Sequence, residues 1–104
     1  MIPMGELLTG INEETPGFSE SQVQQNFPNP FSGSTRVRID LTSSENLSVE
    51  VRNNLGQLVQ SVDKGHVRPG THFITLDGTS LSGGIYFYTV KAGKQSVTRK
   101  MVVN

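Results

Sequence analysis

The sequence predicts an all-β fold, a small antiparallel sandwich of about seven strands, and three features of the chain support it. Serine occurs 11 times, threonine nine times and glycine 11 times among 104 residues, whereas alanine occurs once; helices favour alanine, while strands favour β-branched residues. Several segments alternate between apolar and polar residues, as a strand with one buried face does. These segments recur about every 8–12 residues, the spacing of a small sandwich. A chain of this length forms a single domain.

The first feature of the predicted domain is a corner between two aromatic residues. Phe27 and Phe31 flank the Pro-Asn-Pro sequence at residues 28–30. Each proline fixes its own φ and keeps the preceding residue extended. We therefore expect a rigid corner with both phenylalanines anchored, preceded by a short strand near residues 22–25.

Two strongly alternating segments follow and are predicted to be half-buried strands. Their apolar positions are Val37, Ile39 and Leu41 in the first strand and Leu47, Val49 and Val51 in the second. A hairpin between the two strands would place Arg38 opposite Glu50 on the outer face. Such an exposed ion pair contributes less than ~1 kcal/mol.

Four further strands are separated by turns rich in glycine, proline and asparagine. We predict these strands at residues 57–63, 71–77, 85–91 and 95–103, with turns at Asn53–Gly56, Pro69-Gly70, Asp77-Gly78, Gly83-Gly84 and residues 92–94. The strand at 85–91 is apolar or aromatic on both faces. We therefore expect it in the centre of a sheet, with Tyr86 and Tyr88 buried and their hydroxyls bonded to polar partners.

Charge divides the chain into two compositionally different parts. Residues 1–35 carry four glutamates and no lysine or arginine, a charge of −4, whereas residues 36–104 carry nine basic and five acidic residues, a charge of +4. The first stretch has no sustained period of 2 or 3.6. We therefore expect residues 1–21 to be a linker or an expression-derived segment and residues 22–104 to be the domain. The alternative is a short strand or helix around residues 6–11 that docks on the domain.

Overall composition argues against several classes of partner. Lys and Arg number nine, Asp and Glu also nine, and cysteine is absent. The balanced charge argues against a nucleic-acid partner, and the lack of cysteine excludes disulfides and cysteine-based zinc sites. No apolar run approaches the ~18 residues of a membrane span, so direct membrane insertion is not expected. The N-terminus lacks a secretory signal, so an export signal is expected outside this sequence or at its other end.

Candidate catalytic and metal-binding residues are few. His66 and His72 flank the Pro69-Gly70 turn, but no third ligand is suggested and both are expected to be exposed to solvent. The sequence lacks a G-x-S-x-G elbow, and the glycines after Ser82 lack the lysine and the following helix of a phosphate-binding loop. We therefore predict a non-enzymatic domain with no metal or other cofactor. An adventitious calcium site among loop carboxylates is the alternative.

The C-terminal end of the chain is apolar beyond Arg99 and Lys100, and nothing in the sequence follows to cover it. An uncovered apolar strand invites pairing with another chain. Two outcomes are open: the segment pairs inside the sheet, or another protein binds it by strand addition.

A series of motifs runs in order through residues 22–104 and contains Pro28, Asn29, Pro30, Gly56, Gln57, Gly84, Tyr86, Tyr88, Lys100, Met101, Val102 and Val103. Taken together, these motifs resemble a known family, the type A C-terminal sorting domain of the type IX (Por) secretion system of Bacteroidetes. The resemblance implies that the first eight are mainly structural and that Lys100 to Val103 engage the translocon. The chain departs from the family pattern at its last residue, which is Asn104 rather than a basic residue.

The resemblance also implies a fold and a function. The fold is a seven-stranded antiparallel immunoglobulin-like β-sandwich, which ends a larger cargo protein. The domain directs that cargo from the periplasm across the outer membrane through the type IX translocon, to the cell surface or the medium, and a surface sortase removes it. We also consider a weak homodimer through a free strand edge.

The alternative function is an immunoglobulin-like or fibronectin-like accessory module that binds carbohydrate or spaces domains in a surface protein. An exposed aromatic pair on one sheet face would favour it, because sugars stack on flat rings. Buried Tyr86 and Tyr88 would weigh against it.

Overall fold

The computed structural model describes residues 20–104 and confirms the predicted all-β class. Its elements are a short 3-10 turn at Glu20–Gln22 and strands β1 (Ser34–Leu41), β2 (Glu45–Asn53), β3 (Leu58–Val67), β4 (Gly70–Asp77), β5 (Gly84–Ala92) and β6 (Gln95–Val103). This part of the chain contains six strands rather than the predicted seven. None of its helical residues forms a segment long and apolar enough to cross a membrane.

The seventh strand, predicted near residues 22–25, is replaced by isolated bridges. Val23 is bridged to Ile39 and Phe27 to Arg36, both antiparallel. The segment therefore lies beside β1 without forming a continuous ladder. The predicted linker at residues 1–21 and the alternative element at 6–11 lie outside the described residues, except for the last two positions of the linker.

The strands form two antiparallel sheets. One has four strands in the order β3-β2-β5-β6, and the other pairs β1 with β4. Successive strands therefore change sheets between β1 and β2, between β3 and β4, and between β4 and β5. The centre of the four-stranded sheet is occupied by β2 and β5, which confirms the prediction that the aromatic strand is central.

The predicted hairpin between the first two long strands is wrong. Arg38 of β1 lies opposite Phe73, and Glu50 of β2 lies opposite Ser61 and Thr89. Alternation of apolar and polar residues shows which face of a strand is buried, but it does not show which strand is the neighbour. Residues 42–44 carry the chain across to the other sheet, so Arg38 and Glu50 belong to different layers.

The buried side chains of both sheets form one hydrophobic core. The smaller sheet contributes Val37, Ile39, Leu41, Ile74 and Leu76, and the larger sheet contributes Leu47, Val49, Val51, Tyr86, Tyr88, Val90, Ala92, Val97, Met101 and Val103. All six apolar positions predicted for the first two long strands are buried. This shared core is consistent with the predicted sandwich.

Only one of the two phenylalanines at the proline corner is anchored. Phe31 is buried in the core, where its ring occupies the space that a side chain at Gly78 would need. Phe27 is largely exposed, because its backbone bonds to Arg36 in both directions and directs the side chain outward. The peptide bonds preceding Pro28 and Pro30 are both cis.

Candidate functional site

The four residues predicted to engage a translocon lie on two opposite faces of β6. Met101 and Val103 are 0% and 3% exposed and belong to the core, whereas Lys100 is exposed and Val102 is half-buried. The alternation follows from the two-residue period of a strand. Of the two outcomes that the sequence left open for this segment, the structure has the first: β6 pairs with β5 inside the sheet and buries Met101 and Val103.

The main-chain edge of β6 that faces away from β5 is also covered near the end of the strand. The Phe31 N–H donates to the Val102 carbonyl at 3.1 Å, and the Asn104 N–H donates to the Phe31 carbonyl at 2.8 Å, forming a parallel bridge between Phe31 and Val103. The Val102 N–H donates to Asn29 Oδ1 at 2.9 Å. Another strand could pair with this edge only after the segment containing Asn29 and Phe31 had left it.

Two further side chains join the same segment to β6. Gln25 Nε2 donates to the Lys100 carbonyl at 2.7 Å, and Arg99 Nε donates to the Val23 carbonyl at 2.7 Å. At the chain end, a side chain on Gly83 would lie 3.1 Å from the Asn104 carbonyl carbon, so the backbones pack closely there. The proline motif and the terminal motif therefore form one structural unit. Sequence reasoning missed this connection, since no local pattern links segments more than 70 residues apart.

The glycine motifs have local structural roles. Gly56 and Gly84 have φ values of 84° and 152°, which L side chains rarely adopt. In the turn that contains Gly56, Asn53 Oδ1 accepts hydrogen bonds from the Leu55 N–H at 2.9 Å and the Gln57 N–H at 3.0 Å. These contacts fix the turn that contains Gly56 and Gln57, and the role that the resemblance implies for Gly56, Gln57 and Gly84 stays a prediction.

The two tyrosines of β5 are buried and hydrogen-bonded, as predicted. The Tyr88 hydroxyl donates to the Gln24 carbonyl at 2.9 Å and accepts from the Asn26 N–H at 3.0 Å. Burial raises the pKa of Tyr88 above its usual value of 10.0. The Tyr86 hydroxyl donates to the Ser82 carbonyl at 2.7 Å. Tyr88 thus ties the centre of the large sheet to the segment that covers β6.

Sequence reasoning assigned no role to the exposed apolar residues of β5. Ile85 is 45% exposed and Phe87 is 38% exposed. Ile85 lies opposite Val102 and Phe87 opposite Lys100, so all four side chains share the outer face. We call Ile85, Phe87, Lys100 and Val102 the terminal patch. The sequence signal that could have identified them is the alternation of Ile85 and Phe87 with the tyrosines that were predicted to be buried.

The other end of the same outer face is polar. Thr89 lies opposite Thr98, and their hydroxyls are 2.8 Å apart. Glu50 forms ion pairs with Arg52 at 2.9 Å and Lys91 at 3.3 Å. The hydrogen bonds from Arg52 and Lys91 lower the pKa of Glu50 below its usual value of 4.5. Apolar exposure is therefore concentrated at the end of the face where the chain terminates.

Within residues 20–104, the two histidines do not belong to any group of metal ligands. His66 Nδ1 is 3.3 Å from Asn46 Oδ1, and His72 Nε2 is 2.7 Å from the Arg68 carbonyl. His66 is exposed as predicted, whereas His72 is half-buried. From residue 20 onward, no three His, Cys, Asp or Glu side chains converge into a group that could hold a metal ion.

The fold is similar to that of one part of a much larger protein. The crystal structure of dimeric latent PorU from Porphyromonas gingivalis matches 92% of this chain with a TM-score of 0.63 and 24% sequence identity. The match covers 10% of the PorU chain, so this chain spans about a tenth of that protein's length. No protein with a curated description is significantly similar in sequence.

Family membership follows from the sequence itself. The model of the secretion system C-terminal sorting domain family matches residues 25–104. The matched region contains all six strands, the proline corner and the terminal motif. The chain therefore belongs to the family of secretion system C-terminal sorting domains, those of the type IX (Por) system.

Proposed function

We propose that this domain is a non-catalytic export signal that directs a larger cargo protein across the outer membrane through the type IX translocon. The cargo passes through the periplasm and ends at the cell surface or in the medium, where a sortase removes the domain. The observation that carries this proposal is the family match over residues 25–104. Membership of this family implies a sorting role in type IX secretion and association with both the secretion machinery and a parent cargo protein.

The geometry of β6 supports recognition of the chain terminus through its exposed side chains. Lys100 and Val102 are offered to solvent on a rigid sheet face, whereas Met101 and Val103 stabilise the core beneath them. A rigid, preorganised surface binds with a smaller loss of conformational entropy than a mobile tail does. The contribution of the buried pair to recognition is therefore indirect, through the position of the exposed pair.

The test is export of a reporter. The full 104-residue chain is fused behind a periplasmic signal peptide and a reporter protein in a bacterium with a working type IX system. We expect the reporter at the cell surface or in the medium, and a reporter without the chain in the periplasm. If the fusion stays in the periplasm while a sorting domain native to that bacterium exports the same reporter, the proposed function is wrong.

Removing residues 100–104 is a poor version of this test. The deletion takes away the buried Met101 and Val103 together with the exposed Lys100 and Val102. Loss of large core side chains typically costs about 2–5 kcal/mol each, so failed export would not distinguish lost recognition from unfolding. Single substitutions at exposed positions separate the two causes.

A specific observation also favours the accessory-module alternative. Tyr86 and Tyr88 are buried, but Phe27 and Phe73 are exposed and line a cavity of about 270 Å³ beside Arg36 and Arg38. The Arg36 guanidinium lies 5.0 Å from the centre of the Phe73 ring. Titration calorimetry of the purified chain with soluble polysaccharides tests this function. Binding that is lost in Phe27→Ser would support it, and absence of heat with every polysaccharide would contradict it.

A further inference from the structure

We infer that the terminal patch is the surface through which this domain docks on the type IX machinery, and that its partner presents apolar side chains beside a carboxylate. The inference rests on the proposed function. It adds Ile85 and Phe87 of β5 to the recognition surface and leaves Met101 and Val103 out of direct contact.

The patch is continuous across neighbouring strands. Ile85 lies opposite Val102 and Phe87 lies opposite Lys100, and Phe87 is also opposite Arg52 on the other side. Side chains that are directly opposite in antiparallel strands are close enough to touch one partner together. Contiguous apolar side chains on a surface mark interaction sites more often than scattered ones do.

The charge at the patch is not neutralised within the domain. Lys91 and Arg52 both pair with Glu50, whereas Lys100 has no ion-pair partner anywhere in the described chain, residues 20–104. A carboxylate on the partner would meet this free cation next to the Phe87 ring. Complementary charge at the rim of an apolar contact increases both the specificity and the rate of association.

Two other modes of binding fit the structure less well. Strand addition along β6 is opposed by the bonds from Val102 to Asn29 and Phe31, which occupy the main-chain edge. Pairing of two copies through the patch would bring positively charged groups around a two-fold axis, because an isologous contact places the same surface on both sides. Like charges placed together oppose such a contact.

The experiment uses the full-chain reporter fusion with three variants. Ile85→Ser/Phe87→Ser removes the apolar part of the patch, and Lys100→Glu reverses its charge. Phe73→Ser is the matched control, because Phe73 is also a strand phenylalanine and is 50% exposed, but it lies in the other sheet. Thermal unfolding and sedimentation of each purified chain show whether it is folded and monomeric.

We expect wild type and Phe73→Ser to be exported equally. The patch variants should be exported roughly tenfold less, the effect of losing a contact of about 1.4 kcal/mol, and should accumulate folded in the periplasm. Wild-type export from Lys100→Glu would overturn the inference even if the double variant failed to fold. The inference would also be overturned if the wild-type chain were a dimer and the patch variants were monomers, because the terminal patch would then bind a second copy of this chain. If wild type itself is not exported, the proposed function has failed instead.

Discussion

The inward-facing and outward-facing residues of the last strand differ in their surroundings, although they alternate within a single motif. Met101 and Val103 are part of the core, and Lys100 and Val102 belong to the terminal patch. A sequence motif that falls on a strand is therefore two interleaved sets of residues with different physical roles. Variants that change one set and leave the other intact should separate stability from export.

The largest loss of stability is expected from substitutions of the inward-facing residues, Met101 and Val103. Met101→Ala removes a side chain that is 0% exposed, and should lower the free energy of unfolding by about 2–5 kcal/mol, measured by urea denaturation. Val102→Ala, at the adjacent outward position, is the matched control and should cost clearly less. Equal losses from the two variants would contradict the division of the strand into a stabilising and a recognising face.

The next largest loss of stability is expected from substitution of Tyr88, an inward-facing residue of β5. Tyr88→Phe deletes the hydroxyl that bonds to the Gln24 carbonyl and the Asn26 N–H. Leaving buried polar groups without a partner costs about 1–3 kcal/mol, so the variant should lose that much stability at neutral pH. Export by molecules that remain folded should not change, since Tyr88 lies outside the terminal patch. An export defect in fully folded Tyr88→Phe would show that the inward set also affects recognition.

The same variant should alter the alkaline pH dependence of stability. Because burial raises the pKa of Tyr88 above 10.0, its contribution is complete below pH 10 and is lost as the pH rises through the folded-state pKa. Urea denaturation between pH 8 and 11 should therefore show a decline in wild type that is shallower in Tyr88→Phe. Identical slopes would mean that Tyr88 does not titrate as its burial requires.

A smaller effect is expected where the proline corner meets β6. Asn29→Ala removes the acceptor for the Val102 N–H and should cost about 1 kcal/mol, with faster hydrogen exchange at the Val102 amide. Asn29→Asp keeps an oxygen at the same place and should retain the slow exchange. If exchange at Val102 is equally slow in both variants, Asn29 does not protect this edge.

The smallest effect on stability is expected at the outward set. Lys100→Gln should change the free energy of unfolding by less than about 0.5 kcal/mol, as exposed substitutions usually do, yet it should reduce export. Lys94→Gln, in the hairpin at the other end of the same sheet, is the control and should leave export unchanged. Equal export of the two variants would contradict the claim that export depends on the end of the face that carries Lys100.

The apolar residues of the first two long strands show how much of the fold was predictable. Val37 to Leu41 and Leu47 to Val51 alternate in the sequence, and each apolar member is buried as expected. The same alternation could not show that the two strands lie in different sheets, and the predicted pairing of Arg38 with Glu50 was wrong. Burial is encoded locally by side-chain polarity, whereas strand partners are chosen by the whole fold.

The candidate site, too, was predicted only in part from the sequence. The terminal motif was singled out from the sequence, and the family match covers it. Ile85 and Phe87 were missed, because the apolar and aromatic residues on both faces of this strand were interpreted only as a sign that it lies in the centre of a sheet. In the structure the inner face of β5 is covered by the core and the outer face meets solvent, since no third layer packs on the four-stranded sheet within the described residues.

The sequence by itself determined the fold class, the family and the side chains that fill the core, because composition and a two-residue period are local properties of the chain. Only the tertiary structure decided that Phe31 and Asn29 cover the edge of β6, that Phe27 faces solvent and that Ile85 and Phe87 lie beside Lys100 and Val102. These arrangements depend on contacts between segments far apart in the chain. Such contacts form only when the whole core has assembled, and they leave no periodic signal in any one segment.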